Sequence, residues 1–189
     1  RSSDLVTDML IQTYEAALGG ADVTENLSAI KARYDEIIEG LELTGFSLED
    51  DFKQITSDIK EDLSLDYLAS RGEYLNGKIM AKYLGFDFID AKDVIFFNEE
   101  GQLNSYKTEK TMRKTLEEHP HAVIPGFYGC GKDGRVKTFS RGGSDVTGSI
   151  VAGAAKVDVY ENWTDVSGFL ICDPRIVKNP VAMQTITYR

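Results

Sequence analysis

Phe139-Ser140-Arg141-Gly142-Gly143-Ser144-Asp145-Val146-Thr147 is the stretch on which the reading of this chain turns. A glycine pair flanked by an arginine and by Ser-Asp runs into small, helix-compatible residues from Gly148 to Lys156. Ser144 or Asp145 suits an N-cap or first-turn position. The glycines allow a tight turn and close approach to a ligand. The helix that follows opens with unpaired N–H groups and the positive end of its dipole, which favours an anion. Arg141 adds a planar fork able to grip a carboxylate or phosphate through two bonds. No Gly-Lys-Ser/Thr follows the glycines, so this is not a Walker A loop.

Outward from that turn, the chain alternates. Upstream, Phe86–Ile89 and Val94–Phe97 are short, aromatic and β-branched, as strands are. A polar loop over 98–105 leads to an amphipathic helix over Tyr106–Glu118, ended by Pro120, and then to a short buried strand, Ala122-Val123-Ile124. Gly126, Gly129, Gly131 and Gly134 predict a loop. Downstream, Val157–Tyr160 reads as a strand and Phe169–Ile171 as a further short one. Such alternation argues for an α/β fold with a largely parallel sheet, whose ligands gather at the carboxyl ends of strands.

The first ninety residues are helical in texture. One helix runs to Gly19-Gly20. Thr24 caps a second, with Leu27, Ile30, Tyr34, Ile37, Ile38 and Leu41 as its stripe. Ser47 with Asp50 suggests a variant capping box for a third, and Glu49, Asp50 and Asp51 favour its positive end. The acidic run to Asp62 reads as a solvated face. A fourth helix spans about Ser64 to Leu84, stopped by Gly85, and contains Ser70-Arg71-Gly72-Glu73. Gly72 costs a helix interior about 1 kcal/mol relative to Ala, which close approach of a ligand or backbone would justify.

The chain has 189 residues, 42% hydrophobic and 28% charged, ordinary values for one globular domain. Twenty-one basic against 31 acidic residues give a net charge of −10, which disfavours nucleic acid but leaves room for a local anion site. Cys130 and Cys172 form neither a disulfide framework nor a zinc pattern and fit a reducing, cytoplasmic setting. No stretch approaches a transmembrane length or a signal peptide, so no membrane partner is expected. His119-Pro120-His121 lacks a nearby acid cluster and reads as a helix-ending loop, so no protein metal site is expected.

Taken together, Ser140–Asp145, Trp163-Thr164-Asp165-Val166-Ser167-Gly168 and Asp173-Pro174-Arg175, with Ser70–Glu73, Gly126-Phe127-Tyr128-Gly129 and Val6-Thr7-Asp8 upstream, resemble the aspartate kinase branch of the amino-acid kinase family. The family's usual forms are Gly-Arg-Gly-Gly-Ser-Asp, Trp-Thr-Asp-Val-(Asp/Pro)-Gly, Asp-Pro-Arg, Ser-x-Gly-Glu and Gly-Phe-x-Gly. Here Ser140 replaces a Gly, Val146 a common Tyr, and Leu170 stands where a nucleotide-contacting Tyr is frequent. The resemblance implies a three-layer αβα sandwich with a mostly parallel central sheet. It implies transfer of the ATP γ-phosphoryl to the β-carboxylate of L-aspartate, with Mg2+, towards lysine, threonine and methionine. It implies that Glu73 holds the substrate amino group, Arg141 its carboxylate, and Thr7, Ser144 and Phe127 the rest of its pocket. Asp145 would orient the lysines that neutralise the phosphoryl group. Gly142, Gly143, Thr164, Asp165, Leu170 and Arg175 would meet the nucleotide. Residues 1–189 are then expected to be an incomplete amino-acid kinase domain, inactive alone, without the family's Lys-Phe-Gly-Gly-Ser strand and regulatory ACT domains, and homo-oligomeric in the full-length protein. The alternatives are another amino-acid kinase, acting on glutamate, acetylglutamate or a nucleotide, and a non-catalytic aspartate-binding or partner chain.

Overall fold

A computed structural model describes residues 2–139, 143–163, 171–172 and 176–183. The chain divides into two units, 1–158 and 159–189.

Unit 1 opens with four helices: α1 (Ser2–Leu18), α2 (Thr24–Gly40), α3 (Glu49–Glu61) and α4 (Leu65–Leu84). Their apolar stripes close on one core that includes Val6, Leu10, Ile30, Leu48, Phe52, Leu68, Leu75 and Ile79. Burying side chains of this size contributes about 1.5–3 kcal/mol each. Gly20 (φ 77°) takes the left-handed turn after α1, and Gly85 (φ 70°) does so after α4. Ser64 caps α4, accepting from the Tyr67 amide at 3.4 Å.

Two expected caps work differently. Thr24 is the first residue of α2 rather than its cap, and Asp22 accepts from the Thr24 hydroxyl (2.6 Å) and amide (2.9 Å). These bonds favour the ionised carboxyl and hold Asp22 below the usual carboxylate range. Before α3, Ser47 accepts from the Glu49 amide at 3.1 Å, but Leu48 takes the cap position, so a serine turn replaces the capping box. The acidic face of α3 is not simply solvated either. Asp51 binds the Lys78 ammonium at 2.6 Å with its side chain only 11% exposed, and Asp58 accepts from the Tyr67 hydroxyl.

Beyond Gly85, β1 (Asp87–Phe88) pairs in parallel with β2 (Ala122–Val123), Asp87 beside Ala122 and Phe88 beside Val123. Between them lie α5 (Ala91–Val94) and α6 (Ser105–Glu118), capped by Asp90 and Asn104. Val94–Phe97 is therefore not a strand. Val94 closes α5, and Phe96 and Phe97 make only single bridges, to Cys130 and Leu103. Val94 and Ile95 are buried as core residues, so the apolar run reflects burial rather than pairing. The glycine-rich segment, expected to be a loop, forms an antiparallel hairpin of β3 (Tyr128–Cys130) and β4 (Val136–Thr138). A second core, with Ile89, Val94, Ile95, Phe97, Met112, Tyr128 and Val136, joins these elements. α7 (Gly143–Ala155) ends the regular structure of unit 1. Val157–Tyr160 pairs with no described strand, and Val157, Val159 and Tyr160 are exposed. β-branched residues extend usefully only against a partner ladder.

In unit 2 the Ile171 amide donates to the Val181 carbonyl at 3.1 Å, and the exposed Trp163 donates to Glu161. Phe169 and Leu170 lie outside the described residues.

Candidate functional site

α4 presents different faces to different neighbours. A residue advances 100° around a helix, so Asp66, Glu73 and Gly77 fall on one stripe. Both ends of that stripe meet the chain between 125 and 138. Asp66 accepts from the Thr138 hydroxyl at 2.5 Å and pairs with Lys137 at 3.3 Å. A Cβ on Gly77 would lie 3.2 Å from the Phe88 ring and 3.4 Å from Pro125. Glu73, half-buried, stands between them on the same stripe. The next face, at Gly72, turns to α1, where the Thr7 hydroxyl would sit 3.7 Å from an added Cβ. The Gly72 carbonyl accepts from the buried Tyr34 hydroxyl at 2.9 Å. Burial and then the charge of Glu73 push the Tyr34 phenol well above its ordinary value, so the Glu73 carboxylate lies close enough to weigh on it.

Pro125 leads into Gly126 and Phe127, and these lie directly on the start of α7. A Cβ on Gly126 would come within 2.9 Å of the Ser144 Cα, and one on Gly143 within 2.8 Å of the Phe127 Cα. No side chain fits at either point, so backbone meets backbone. Phe127 adopts φ 83°, a left-handed conformation rare for a bulky residue. Its amide donates to the Thr147 hydroxyl at 3.2 Å, its carbonyl accepts from the Phe139 amide at 2.9 Å, and Thr147 in turn donates to the Gly143 carbonyl at 2.8 Å. A loop tied at both backbone groups can sustain such strain, which is a mark of functional segments. Ser144 and Asp145 occupy the first turn of α7 with exposed side chains, where first-turn amides lack helical partners and an anion is favoured.

The structure thus gathers Phe127, Gly143, Ser144 and Asp145 on one loop–helix junction. It places Glu73 on the α4 stripe that faces the same segment, and Thr7 beside Gly72. Arg141, Gly142, Thr164, Asp165, Leu170 and Arg175 lie outside the described residues. What sequence reading missed is the other side of α4. Arg71 is 5% exposed, and its guanidinium stands over the rings of Tyr67, Tyr74 and Tyr128, 4.5, 4.3 and 5.5 Å from their centroids. The 67–71–74 spacing held the signal, since those residues share a helix face. Among the described residues no cluster of His, Cys, Asp and Glu could cage a metal; His119 instead pairs with Asp87 at 2.8 Å. No helix of the described residues is long and apolar enough to cross a membrane.

The sequence profile of the Amino acid kinase family matches residues 16–189. The chain belongs to that family. Within it, similar proteins include aspartokinases. Aspartokinase 3 of Bacillus subtilis (strain 168) is 34% identical over 197 residues, 97% of this chain and 43% of that protein. The aspartokinase of Rickettsia prowazekii (strain Madrid E) is 31% identical over 131 residues, 65% of this chain and 29% of that protein. Among solved structures, Clostridium acetobutylicum aspartate kinase superposes with a TM-score of 0.85 at 46% identity, covering 93% of this chain and 40% of that one. E. coli aspartokinase III, solved with aspartate and ADP, superposes at 0.76 with 24% identity, over 94% and 44% respectively, and speaks for the fold alone. The three-layer αβα architecture is thereby that of the amino-acid kinase fold. The chain spans less than half the length of each of these relatives.

Proposed function

We propose that the complete protein containing this chain transfers the γ-phosphoryl group of ATP to the β-carboxylate of L-aspartate, giving 4-phospho-L-aspartate for lysine, threonine and methionine synthesis. The observation that carries this reading is that the Glu73 stripe, at Gly77, meets Pro125, while the first turn of α7 meets the adjoining Gly126 and Phe127. An amino-acid acceptor needs a carboxylate for its ammonium and a cationic or N–H-rich surface for its carboxylates. Glu73 supplies the first. Arg141 and the first turn of α7 supply the second, with Ser144 and Thr7 adding polar contacts and Phe127 shaping the pocket. Asp145 orients the lysines that approach the phosphoryl group. Gly142, Gly143, Thr164, Asp165, Leu170 and Arg175 form the nucleotide side.

Phosphoryl transfer asks mostly for positioning and for donors around the phosphate oxygens, and an α7 start packed without side chains is suited to that. Mg2+ would arrive bound to the phosphates of ATP and would supply neutralisation of their charge. Such an ion keeps several waters and is held largely by substrate phosphates, so it would ask few ligands of this chain.

The test is a coupled ADP-release assay on the complete protein with aspartate, glutamate and acetylglutamate. Aspartate should be the productive acceptor. Glu73→Gln should lower kcat/KM for aspartate by about 100-fold, near 3 kcal/mol, with the KM for ATP unchanged. Turnover of glutamate or acetylglutamate in place of aspartate would sink the proposal.

A further inference from the structure

Arg71 is a buried cation that the proposed chemistry does not use. Its Nε and Nη2 donate to the Ser70 hydroxyl at 3.2 and 3.0 Å. Among the described residues no carboxylate pairs with it directly. Its charge is met instead by the faces of Tyr67, Tyr74 and Tyr128, whose rings are electron-rich and attract a cation. Each phenol then donates to a carboxylate one shell further out. Tyr67 reaches Asp58 and Tyr74 reaches Asp51 at 3.2 Å, both on α3. Tyr128 reaches Asp90, the cap of α5, at 2.7 Å. Four elements are therefore tied to one guanidinium: α3, α4, the cap of α5 and the strand that begins immediately after Phe127.

That arrangement does more than fill space. Arg71 and Glu73 are two residues apart on a helix, so their side chains leave α4 about 200° apart. Rotation of α4 about its axis moves both. The box on the Arg71 side fixes that rotation against Tyr128, which is bonded covalently to Phe127. From this geometry we infer that Arg71 is a positioning residue: caged by three tyrosines, it locks α4 against β3 and so sets Glu73 and Phe127 relative to each other. The inference rests on the reading of Glu73 as the anchor of the substrate ammonium. Lysine cannot substitute fully, because a compact ammonium lacks the planar stacking and the paired N–H donors.

The experiment compares wild type, Arg71→Lys and Arg71→Met in the complete protein by steady-state kinetics and amide hydrogen exchange. Arg71→Met should raise the KM for aspartate at least tenfold while the KM for ATP stays within twofold. Arg71→Lys should fall between Arg71→Met and wild type. In exchange, Arg71→Met should speed peptides within 125–147 at least tenfold and leave α2 unchanged. A purely structural role would loosen α2 equally or raise both KM values together, and either result overturns the inference. So does an unchanged exchange rate over 125–147. Should Arg71→Met fail to fold, the same two readouts on Arg71→Lys decide the matter. If wild type turns over no aspartate, or Glu73→Gln leaves the KM for aspartate untouched, the functional reading falls. The exchange pattern still decides whether Arg71 locks α4.

Discussion

The two seams that meet the 125–147 segment and α4 are packed by opposite means. On the Arg71 side, large rings and charges fill the space between α3, α4 and β3. Between residues 126–129 and their neighbours, space is closed by leaving side chains out. Gly126 meets Ser144, Gly143 meets Phe127, and Gly129 meets Ile95. The first seam is held by interactions whose strength depends on protonation. The second is held by shape and has no chemical switch. Conditions that attack one should spare the other, and point changes should discriminate between them.

Alkali gives the largest expected separation. Burial pushes the phenols of Tyr34, Tyr67 and Tyr128 well above the ordinary tyrosine value, and pushes Tyr74 up to about 12. Nearby carboxylates add to this, while Arg71 opposes it at Tyr67, Tyr74 and Tyr128. Below about pH 10 the folded and unfolded chains both keep these protons. Above it, the unfolded chain releases protons that the folded chain retains, so stability falls as pH rises from about 10 through the folded values. Each such proton costs about 1.4 kcal/mol per pH unit. Urea denaturation at successive pH values should show a flat free energy from pH 8 to 9.5 and a loss of several kcal/mol by pH 12. A curve that stays level to pH 11.5 would contradict the burial of these phenols.

The glycine seam should fail by substitution instead. In Gly129→Ala the new methyl would lie 2.6 Å from the Ile95 carbonyl oxygen and 2.7 Å from its Cγ2. A carbonyl in a β-bridge cannot step aside as a side-chain tip can, so the cost should reach about 3 kcal/mol, the upper end for overpacking. Gly126→Ala, 2.9 Å from the Ser144 Cα, should cost about 2 kcal/mol. Both shifts are readable as urea midpoints at pH 8. The pH profile of each variant above 10 should run parallel to wild type, because the tyrosine box is untouched. Convergence of the profiles would mean that the seams are not independent.

This contrast also explains what the sequence made legible. The helices were readable because a stripe such as Leu27, Ile30, Tyr34 and Ile38 repeats at the helical period, and burial follows the stripe. The ends of α1 and α4 were readable because a left-handed turn after a helix selects glycine. Gly129 was misread as loop, since a glycine needed inside a strand by a neighbour distant in sequence looks the same as one needed by a turn. The junction of Gly126 with Ser144 carried no local signal and came through only as motif resemblance. Asp51 and Asp58 were misread as solvated because their partners, Lys78 and Tyr67, lie on the next helix. Val94 to Phe97 were apolar enough for a strand, yet apolarity reports burial and does not choose between a capped turn and a ladder.

Gly72 is the sharpest small test of where close packing ends. It sits inside α4 and within the motif that carries Glu73, and the sequence suggested a ligand or a backbone pressed against it. Its three nearest protein neighbours are side chains of α1 rather than backbone. An added Cβ would lie 3.6 Å from Leu10 Cδ1, 3.7 Å from the Thr7 hydroxyl and 3.7 Å from Val6 Cγ1, all ordinary contacts. Its φ is not in the left-handed region, so alanine meets no backbone strain. Helix propensity then favours alanine by about 1 kcal/mol, less whatever α1 gives up in accommodating the methyl. Gly72→Ala should therefore be neutral or more stable by up to about 1 kcal/mol in urea. If the KM for aspartate nevertheless rises, the added methyl is felt through Thr7, whose hydroxyl is the polar atom among its three nearest neighbours, as the proposed substrate contact of Thr7 requires. If stability falls by 2 kcal/mol or more, α1 and α4 are packed as tightly as the glycine seam, and the division between the two seams does not hold at α1.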